Sequence, residues 1–180
     1  KIYISINKKS QILKSFLGNY SKNTFLIEEK KELGTVGALS LLKNKISKNF
    51  FLTNCDTLLK KNYLEIYDEH IKNDNILTII VANFEHKIPY GVCELDSRSK
   101  ELINLIEKPK SSVMVNTGVY LMSSKIINYI PKNKEFNATD LINLVKTKNK
   151  RIGIFPVSDD CWSDLGQWNQ YNNFLKSYDN

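Results

Sequence analysis

The sequence has few of the residues that usually mark a site. There is no Cys-x-x-Cys, no Gly-x-Gly-x-x-Gly, no Walker loop and no His-Glu-x-x-His. Its three cysteines, Cys55, Cys93 and Cys161, are far apart and odd in number, which argues against a zinc site or redox pair. Reduced thiols and a cytoplasmic setting are the expectation. Only two histidines occur, His70 and His86, both among polar neighbours, and both are expected at the surface. Only two of the basic residues are arginines, Arg98 and Arg151. Nucleic-acid interfaces draw on Arg for bidentate contacts, so no nucleic-acid partner is expected. No apolar run approaches the ~20 residues needed to span a bilayer, and no membrane association is expected. The longest run, 76–82, is strand-length. A strand pattern starts at Ile2 with no signal peptide before it, so the chain is expected to begin inside a larger protein.

What is present describes a folding chain. Of 180 residues, 42% are hydrophobic and 25% charged, enough to bury a core in a soluble domain. A single domain over 1–180 is expected, since no linker, repeat or low-complexity tract interrupts it. The net charge of +7 comes from lysines spread singly and in pairs, beside 21 asparagines. That pattern reads as a solvated surface with a modest attraction for small anions.

Strand and helix patterns alternate through the first half. Strands are predicted at 2–6, 25–27, 50–53 and 76–82. A helix is predicted around Ile12–Leu13 and Phe16–Leu17, with Gly18 as its stop, and others at 38–42 and 62–72. Such alternation, with continuous apolar strands, predicts an α/β fold: a Rossmann-like mixed, mainly parallel sheet with flanking helices. The second half predicts strands at 91–95, 102–106, 115–122 and 152–155. Their short connections suit a mixed or antiparallel extension. Helices are predicted at 124–129, 139–146 and 167–176, with Asn137 and Asp140 forming a capping box.

Asp56 directly follows a buried strand, where open α/β sheets hold ligands. It could equally cap the next element. Asp164, in Trp162-Ser163-Asp164-Leu165-Gly166, is a second carboxylate after a strand and loop. Two such groups could share one hard cation, because Mg²⁺ takes one or two carboxylates plus phosphate oxygens. Five of the seven glycines (Gly34, Gly37, Gly91, Gly118, Gly166) lie beside polar motifs at strand boundaries, as close-approach points for a ligand or as ordinary turns. Glu107-Lys108-Pro109 closes a strand with a hydroxyl acceptor and a cation side by side, fit for a sugar phosphate or simply a charged strand end.

Six segments in register carry a resemblance. They are Leu33-Gly34-Thr35-Val36-Gly37-Ala38-Leu39, Phe51-Leu52-Thr53-Asn54-Cys55-Asp56, Tyr90-Gly91-Val92, Ile106-Glu107-Lys108-Pro109, Val115-Asn116-Thr117-Gly118-Val119-Tyr120 and Trp162-Ser163-Asp164-Leu165-Gly166. Their order and spacing resemble the sugar-1-phosphate nucleotidylyltransferases, the family of mannose-1-phosphate guanylyltransferase and glucose-1-phosphate thymidylyltransferase. The guanylyltransferase-like branch is the nearer in flavour. The resemblance implies transfer of a nucleoside monophosphate from a nucleoside triphosphate to a sugar-1-phosphate, in nucleotide-sugar biosynthesis. It implies that Gly34, Thr35 and Gly37 line the nucleobase and ribose pocket and that Asp56 and Asp164 hold Mg²⁺. Gly91, Glu107, Asn116 and Gly118 would contact the sugar, and Lys108 its phosphate.

Three features depart from the family pattern. No segment matches the glycine-rich, Arg-containing loop that cradles the triphosphate, so this stretch alone is expected to be inactive. Cys55 replaces a usual Gly, and Gln167 a frequent Thr. A sheet lacking a strand would be prone to self-association, and a homo-oligomer is compatible with that. The alternatives are a non-catalytic sugar-nucleotide-binding or regulatory relative, or a transferase for a phosphorylated amino-alcohol. A degenerate relative would be expected to lose Asp56, Asp164, Glu107 or Lys108, and all four are present.

Overall fold

The computed structural model describes residues 1–7, 11–17 and 22–178. Gly18, the expected stop of the first helix, lies outside the described residues. The chain opens with β1 (Ile2–Asn7), α1 (Gln11–Leu17) and β2 (Thr24–Glu29), and the two strands pair in parallel. A short helical turn, α2 (Gly34–Gly37), runs into a 3-10 turn at Ala38–Leu42. Then come β3 (Phe50–Thr53), β4 (Thr57–Leu59), α3 (Tyr63–Lys72), β5 (Leu77–Lys87), β6 (Val92–Leu95), β7 (Leu102–Ile106) and β8 (Lys110–Met122). A 3-10 turn at Ser124–Tyr129 leads to α4 (Ala138–Thr147), β9 (Ile152–Val157), β10 (Trp162–Asp164) and α5 (Trp168–Tyr178).

The central sheet has the order β3-β8-β5-β9. β8 runs antiparallel to both β3 and β5, and β9 runs parallel to β5. Three of the four strands therefore point one way, with β8 reversed between them. That is the expected mixed sheet of mainly one direction, although most of its hydrogen-bonded pairs are antiparallel. Pro156 sits in β9, an edge strand, where a missing N–H is tolerated.

Both faces of the sheet are buried, which is why its strands read as continuous apolar runs. Leu77, Tyr120 and Met122 face a core shared with Val36, Leu39, Ile126, Leu141 and Val145. Ile80, Ala82, Val119 and Leu121 face the opposite core, with Ile66, Phe155 and Val157. The alternation along β8 (119 and 121 to one side, 120 and 122 to the other) is the pleat itself.

His70 is a correction. It was expected at the surface and is buried. It falls one helical turn after Ile66, on the inward face of α3. Its Nδ1 lies 2.8 Å from the Thr78 hydroxyl oxygen, which also accepts from Asn75 Nδ2 at 3.1 Å. Gly153 makes room for this cluster, because a Cβ there would come within 2.1 Å of Asn75 Nδ2. Among the described residues no helix is long and apolar enough to cross a membrane.

Candidate functional site

Two three-residue strands create the site. β4 and β10 pair antiparallel, with Thr57 opposite Asp164 and Leu59 opposite Trp162. The Leu165 N–H donates to the Asp56 carbonyl at 2.7 Å. This small ladder draws two carboxylates together from distant parts of the chain. Gly166 measures how close they come: a Cβ built there would lie 3.0 Å from Asp56 Oδ2 and 3.1 Å from Asp164 Oδ1. Those two oxygens are therefore at most about 6 Å apart. The Gly166 N–H donates to Asp164 Oδ1 at 3.0 Å, and Gln167 Nε2 donates to Asp164 Oδ2 at 3.2 Å, so the second carboxylate is oriented.

The cleft beside this pair has a volume of about 190 Å³ and is lined by Asn54, Thr57, Asn116, Thr117 and Gly118 as well as both aspartates. Its wall is an irregularity in β8. Ile79 pairs with Tyr120 and Val81 with Asn116, so three residues bulge opposite Ile80. Gly118 takes a left-handed φ of +78°, and a Cβ on it would come within 2.6 Å of Asn54 Nδ2. Only glycine suits both demands. The bulged backbone is held by Trp162 Nε1 and the Thr57 hydroxyl, both donating to the Thr117 carbonyl, at 3.2 and 3.1 Å. Asn116 donates to the Tyr120 hydroxyl at 2.5 Å and accepts the Gly118 N–H at 3.1 Å.

Gly34 and Thr35 line a second cleft of about 440 Å³, with Ser5, Asn7, Glu29, Glu32, Leu33, Glu135 and Asn137. Here α2 and the start of α4 exchange hydrogen bonds. The Thr35 N–H donates to Asn137 Oδ1 at 3.1 Å, and the Thr35 hydroxyl accepts from the Ala138 N–H at 2.8 Å. Asp140 accepts the Asn137 N–H at 2.9 Å, as the expected capping box requires. Gly37 lines neither cleft. It is buried, where a Cβ would press within 3.0 Å of the Lys134 carbonyl.

Gly91, Glu107 and Lys108 sit together elsewhere. The β5–β8 ladder continues outward from Ala82↔Val115 to Lys87↔Lys110. It passes through hydrogen bonds from the Ile88 N–H to the Pro109 carbonyl (3.1 Å) and from the Lys108 N–H to the Tyr90 carbonyl (3.2 Å). It ends in the antiparallel pair β6–β7. The result is one long two-stranded ribbon. Gly91 lies against Glu107, since a Cβ would come within 3.0 Å of Glu107 Oε2. Lys108 has a left-handed φ of +48°, which breaks the strand, and its Nζ is 3.8 Å from Glu107 Oε1. Both charged side chains are exposed and line neither cleft.

Of the ten residues singled out from the sequence, Asp56, Asp164, Asn116 and Gly118 thus meet at one cleft. Gly34 and Thr35 meet at the second, Gly91, Glu107 and Lys108 share the ribbon, and Gly37 packs. The acidic lining of the second cleft, Glu29, Glu32 and Glu135, had no signal in the sequence, because two segments about a hundred residues apart supply it.

Among the described residues no group of three or more His, Cys, Asp or Glu converges as a full metal cage. Two carboxylates facing one small space suit an ion such as Mg²⁺, which completes its shell with water and phosphate oxygens. The space that a Gly166 Cβ would fill is consistent with that demand.

The whole chain, residues 1–180, matches the family described as "Nucleotidyl transferase". It is 24% identical over 189 residues to a probable mannose-1-phosphate guanylyltransferase 1 of Oryza sativa subsp. japonica, covering 99% of this chain and 52% of that protein. It is 29% identical over 195 residues to the bifunctional protein GlmU of Methanococcus vannielii, covering 98% and 44%. The chain spans about half the length of the curated relatives it matches. The fold matches the crystal structure of HddC from Yersinia pseudotuberculosis with a TM-score of 0.71 and 22% identity, over 98% of this chain and 78% of that one. By its sequence over the full 180 residues, and with the fold its structural neighbours share, the chain belongs to the nucleotidyl transferase family.

Proposed function

We propose that the protein transfers a nucleoside monophosphate from a nucleoside triphosphate to a sugar-1-phosphate, with a guanine nucleotide as the favoured donor. The observation that carries this reading is the convergence of Asp56 and Asp164 on Gly166, beside a cleft of neutral hydrogen-bonding groups. The guanine preference draws support from relatives named for guanylyl transfer and from HddC, which was also solved with GMP-PN.

A sugar-phosphate oxygen attacks the α-phosphorus, a new P–O bond forms, and the bond to the departing pyrophosphate breaks. Both reactants are anions, so the protein's task is alignment and charge neutralisation, and no covalent enzyme intermediate is needed. Asp56 and Asp164 would hold Mg²⁺, which when bound neutralises phosphate charge. Asn54, Asn116 and the Thr117–Gly118 backbone offer uncharged groups for sugar hydroxyls. Gly34 and Thr35 present the second cleft to the base and ribose. Glu107 accepts from sugar hydroxyls, and Lys108 supplies the positive charge that lets the sugar phosphate approach.

Kinetics on the full-length protein test these roles. Glu107→Ala should chiefly raise KM for the sugar phosphate. Lys108→Ala should also lower kcat, since losing one such electrostatic contact typically removes about 2–4 kcal/mol of transition-state stabilisation. If both variants turn over sugar phosphate as the parent does, the Glu-Lys-Pro segment is only a strand end and the assignment of the ribbon to the substrate fails.

A further inference from the structure

The positive charge of the protein is concentrated at one end of the central sheet. The strand registers define that end: Phe50 pairs with Met122, Met122 with Leu77, and Leu77 with Ile152. Four connections enter or leave the sheet there, at 43–49, 73–76, 123–130 and 148–151. They are tied to one another. The Ile76 N–H donates to the Arg151 carbonyl at 3.0 Å, the Ser123 N–H to the Ile76 carbonyl at 2.9 Å, and Arg151 Nη2 to Asn73 Oδ1 at 3.1 Å. Lys148 Nζ lies over the Tyr129 ring, 5.3 Å from its centroid. Ile46 and Tyr129 pack on the same core.

These 23 residues carry seven basic side chains, Lys43, Lys45, Lys48, Lys125, Lys148, Lys150 and Arg151, and one acid, Asp74. Their net charge is +6, which leaves +1 for the other 157 residues. A mere surplus of Lys would scatter its charge over the whole surface. All seven basic side chains are exposed, and among the described residues none forms a salt bridge, whereas Lys14, Lys61, Lys108 and Lys110 do.

The make-up of this face decides what it recognises. Six of the seven cations are Lys, compact hydrated charges on flexible stems, and the one Arg is engaged by Asn73. Nucleic acids are read with Arg forks and, in single strands, with exposed aromatic platforms. The four connections hold one aromatic residue, Tyr129, half-buried beneath Lys148. Protein interfaces are depleted in Lys and close around an apolar centre. Here every apolar side chain of the four connections is buried or half-buried. Positive charge without fixed geometry suits a partner that is itself a broad field of negative charge, and the anionic leaflet of a lipid bilayer is one.

We propose that this end of the sheet adsorbs to anionic lipid surfaces, with its lysines in the negative potential of the headgroups. Adsorption of this kind needs no membrane-spanning segment. β3 leaves the basic end at Phe50 and leads to Asn54 and Asp56 at the carboxylate cleft. A protein seated on its basic end therefore holds that cleft away from the lipid, open to solution. This proposal does not depend on the transferase reading.

Vesicle sedimentation tests it. Full-length protein is mixed with sucrose-loaded phosphatidylcholine vesicles, with and without about 30% phosphatidylglycerol, in about 0.1 M KCl, where charges are screened over about 10 Å. The protein should pellet with the anionic vesicles and not with the neutral ones. Raising KCl to about 0.5 M should release it, because screening then acts within a few ångström. Each basic residue near such a surface strengthens binding about 5-fold. The triple variant Lys45→Gln/Lys48→Gln/Lys150→Gln should therefore lower the partition coefficient roughly 100-fold. Lys60→Gln/Lys87→Gln/Lys100→Gln removes the same charge from outside the four connections and should change it less than about 5-fold. All six side chains are exposed, so the core stays intact, and circular dichroism confirms folding. Failure to pellet with anionic vesicles overturns the proposal. Equal partitioning of the two triple variants overturns it too, since the whole molecule's charge, or none of it, would then decide binding. Tighter binding to a duplex DNA than to the anionic vesicles at the same salt assigns the face to nucleic acid and also overturns it.

Discussion

Replacing Gly166 with Ala puts a methyl group where the Asp56 and Asp164 carboxylates face each other. The distances set the magnitude. The new Cβ would lie 3.0 Å from Asp56 Oδ2 and 3.1 Å from Asp164 Oδ1, a few tenths of an ångström inside ordinary contact of about 3.5 Å. Both carboxylates must therefore shift by that amount. A hard octahedral ion tolerates little of this, because its ligand oxygens sit at about 2.0–2.1 Å. The expected loss is about 1–2 kcal/mol of divalent-ion affinity, roughly 5- to 30-fold in Kd. Stability should scarcely change. Gly166 is exposed and is not among the positive-φ glycines, and Ala in place of such a Gly typically shifts unfolding free energy by less than about 1 kcal/mol. Mn²⁺ serves as a paramagnetic stand-in, titrated into the full-length protein and followed by water-proton relaxation, with urea unfolding alongside. Unchanged Mn²⁺ affinity in Gly166→Ala would refute the shared-ion reasoning. So would a loss of affinity that merely tracks a loss of folding.

Two further predictions concern the scaffold. Thr35→Ala should destabilise the protein by about 0.5–2 kcal/mol in urea unfolding, because the Thr35 hydroxyl caps the Ala138 N–H of α4 from 103 residues away, and Thr35→Ser should restore most of it. His70, buried against Thr78, has its pKa held below the usual histidine value, first by burial and partly offset by Asp74. Its neutral form is thus the folded one. The unfolded chain takes up the proton first as pH falls through about 6.5, so stability is full above that pH and declines below it until the folded pKa is reached, at up to about 1.4 kcal/mol per pH unit. Urea midpoints from pH 5 to 8 should show that slope in the wild type and a flatter one in His70→Asn; equal slopes would assign the pH dependence to other groups.

Most elements were legible because their signal is local. Leu64, Tyr67 and Ile71 announce the helix at 62–72 by their spacing, although they stay exposed and Ile66 with His70 forms its inward face; Asn137 and Asp140 mark the start of α4, and Leu102–Ile106 its strand by composition. The outer part of β8 was not legible, since Lys110-Ser111-Ser112 is polar and forms a strand only by pairing with Glu85–Lys87. β4 and β10 were missed for a related reason. Three residues carry no period, and each strand exists through the other. Yet this pair is what joins Asp56 to Asp164. The two aspartates could be chosen from their strand-exit positions, but their meeting is a tertiary fact. The bulge at 117–119 is similar: Gly118 hinted at a special backbone, while the close approach of Asn54 emerges only in three dimensions. Asn137 was read as a helix cap, and its second role as acceptor for Thr35 depends on α2 packing against α4.

The most direct test of nucleotidyl transfer is pyrophosphate release by the full-length protein, supplied with Mg²⁺, GTP and mannose-1-phosphate, and compared with Asp56→Asn and Asp164→Asn. Turnover in the ordinary enzyme range of about 1–1000 per second is expected for the parent. Each Asn variant, keeping shape but losing charge, should fall at least about 100-fold. Undiminished release by both variants would contradict the central role of the two carboxylates. No release from any pairing of the four nucleoside triphosphates with a panel of sugar-1-phosphates would contradict the transferase reading itself.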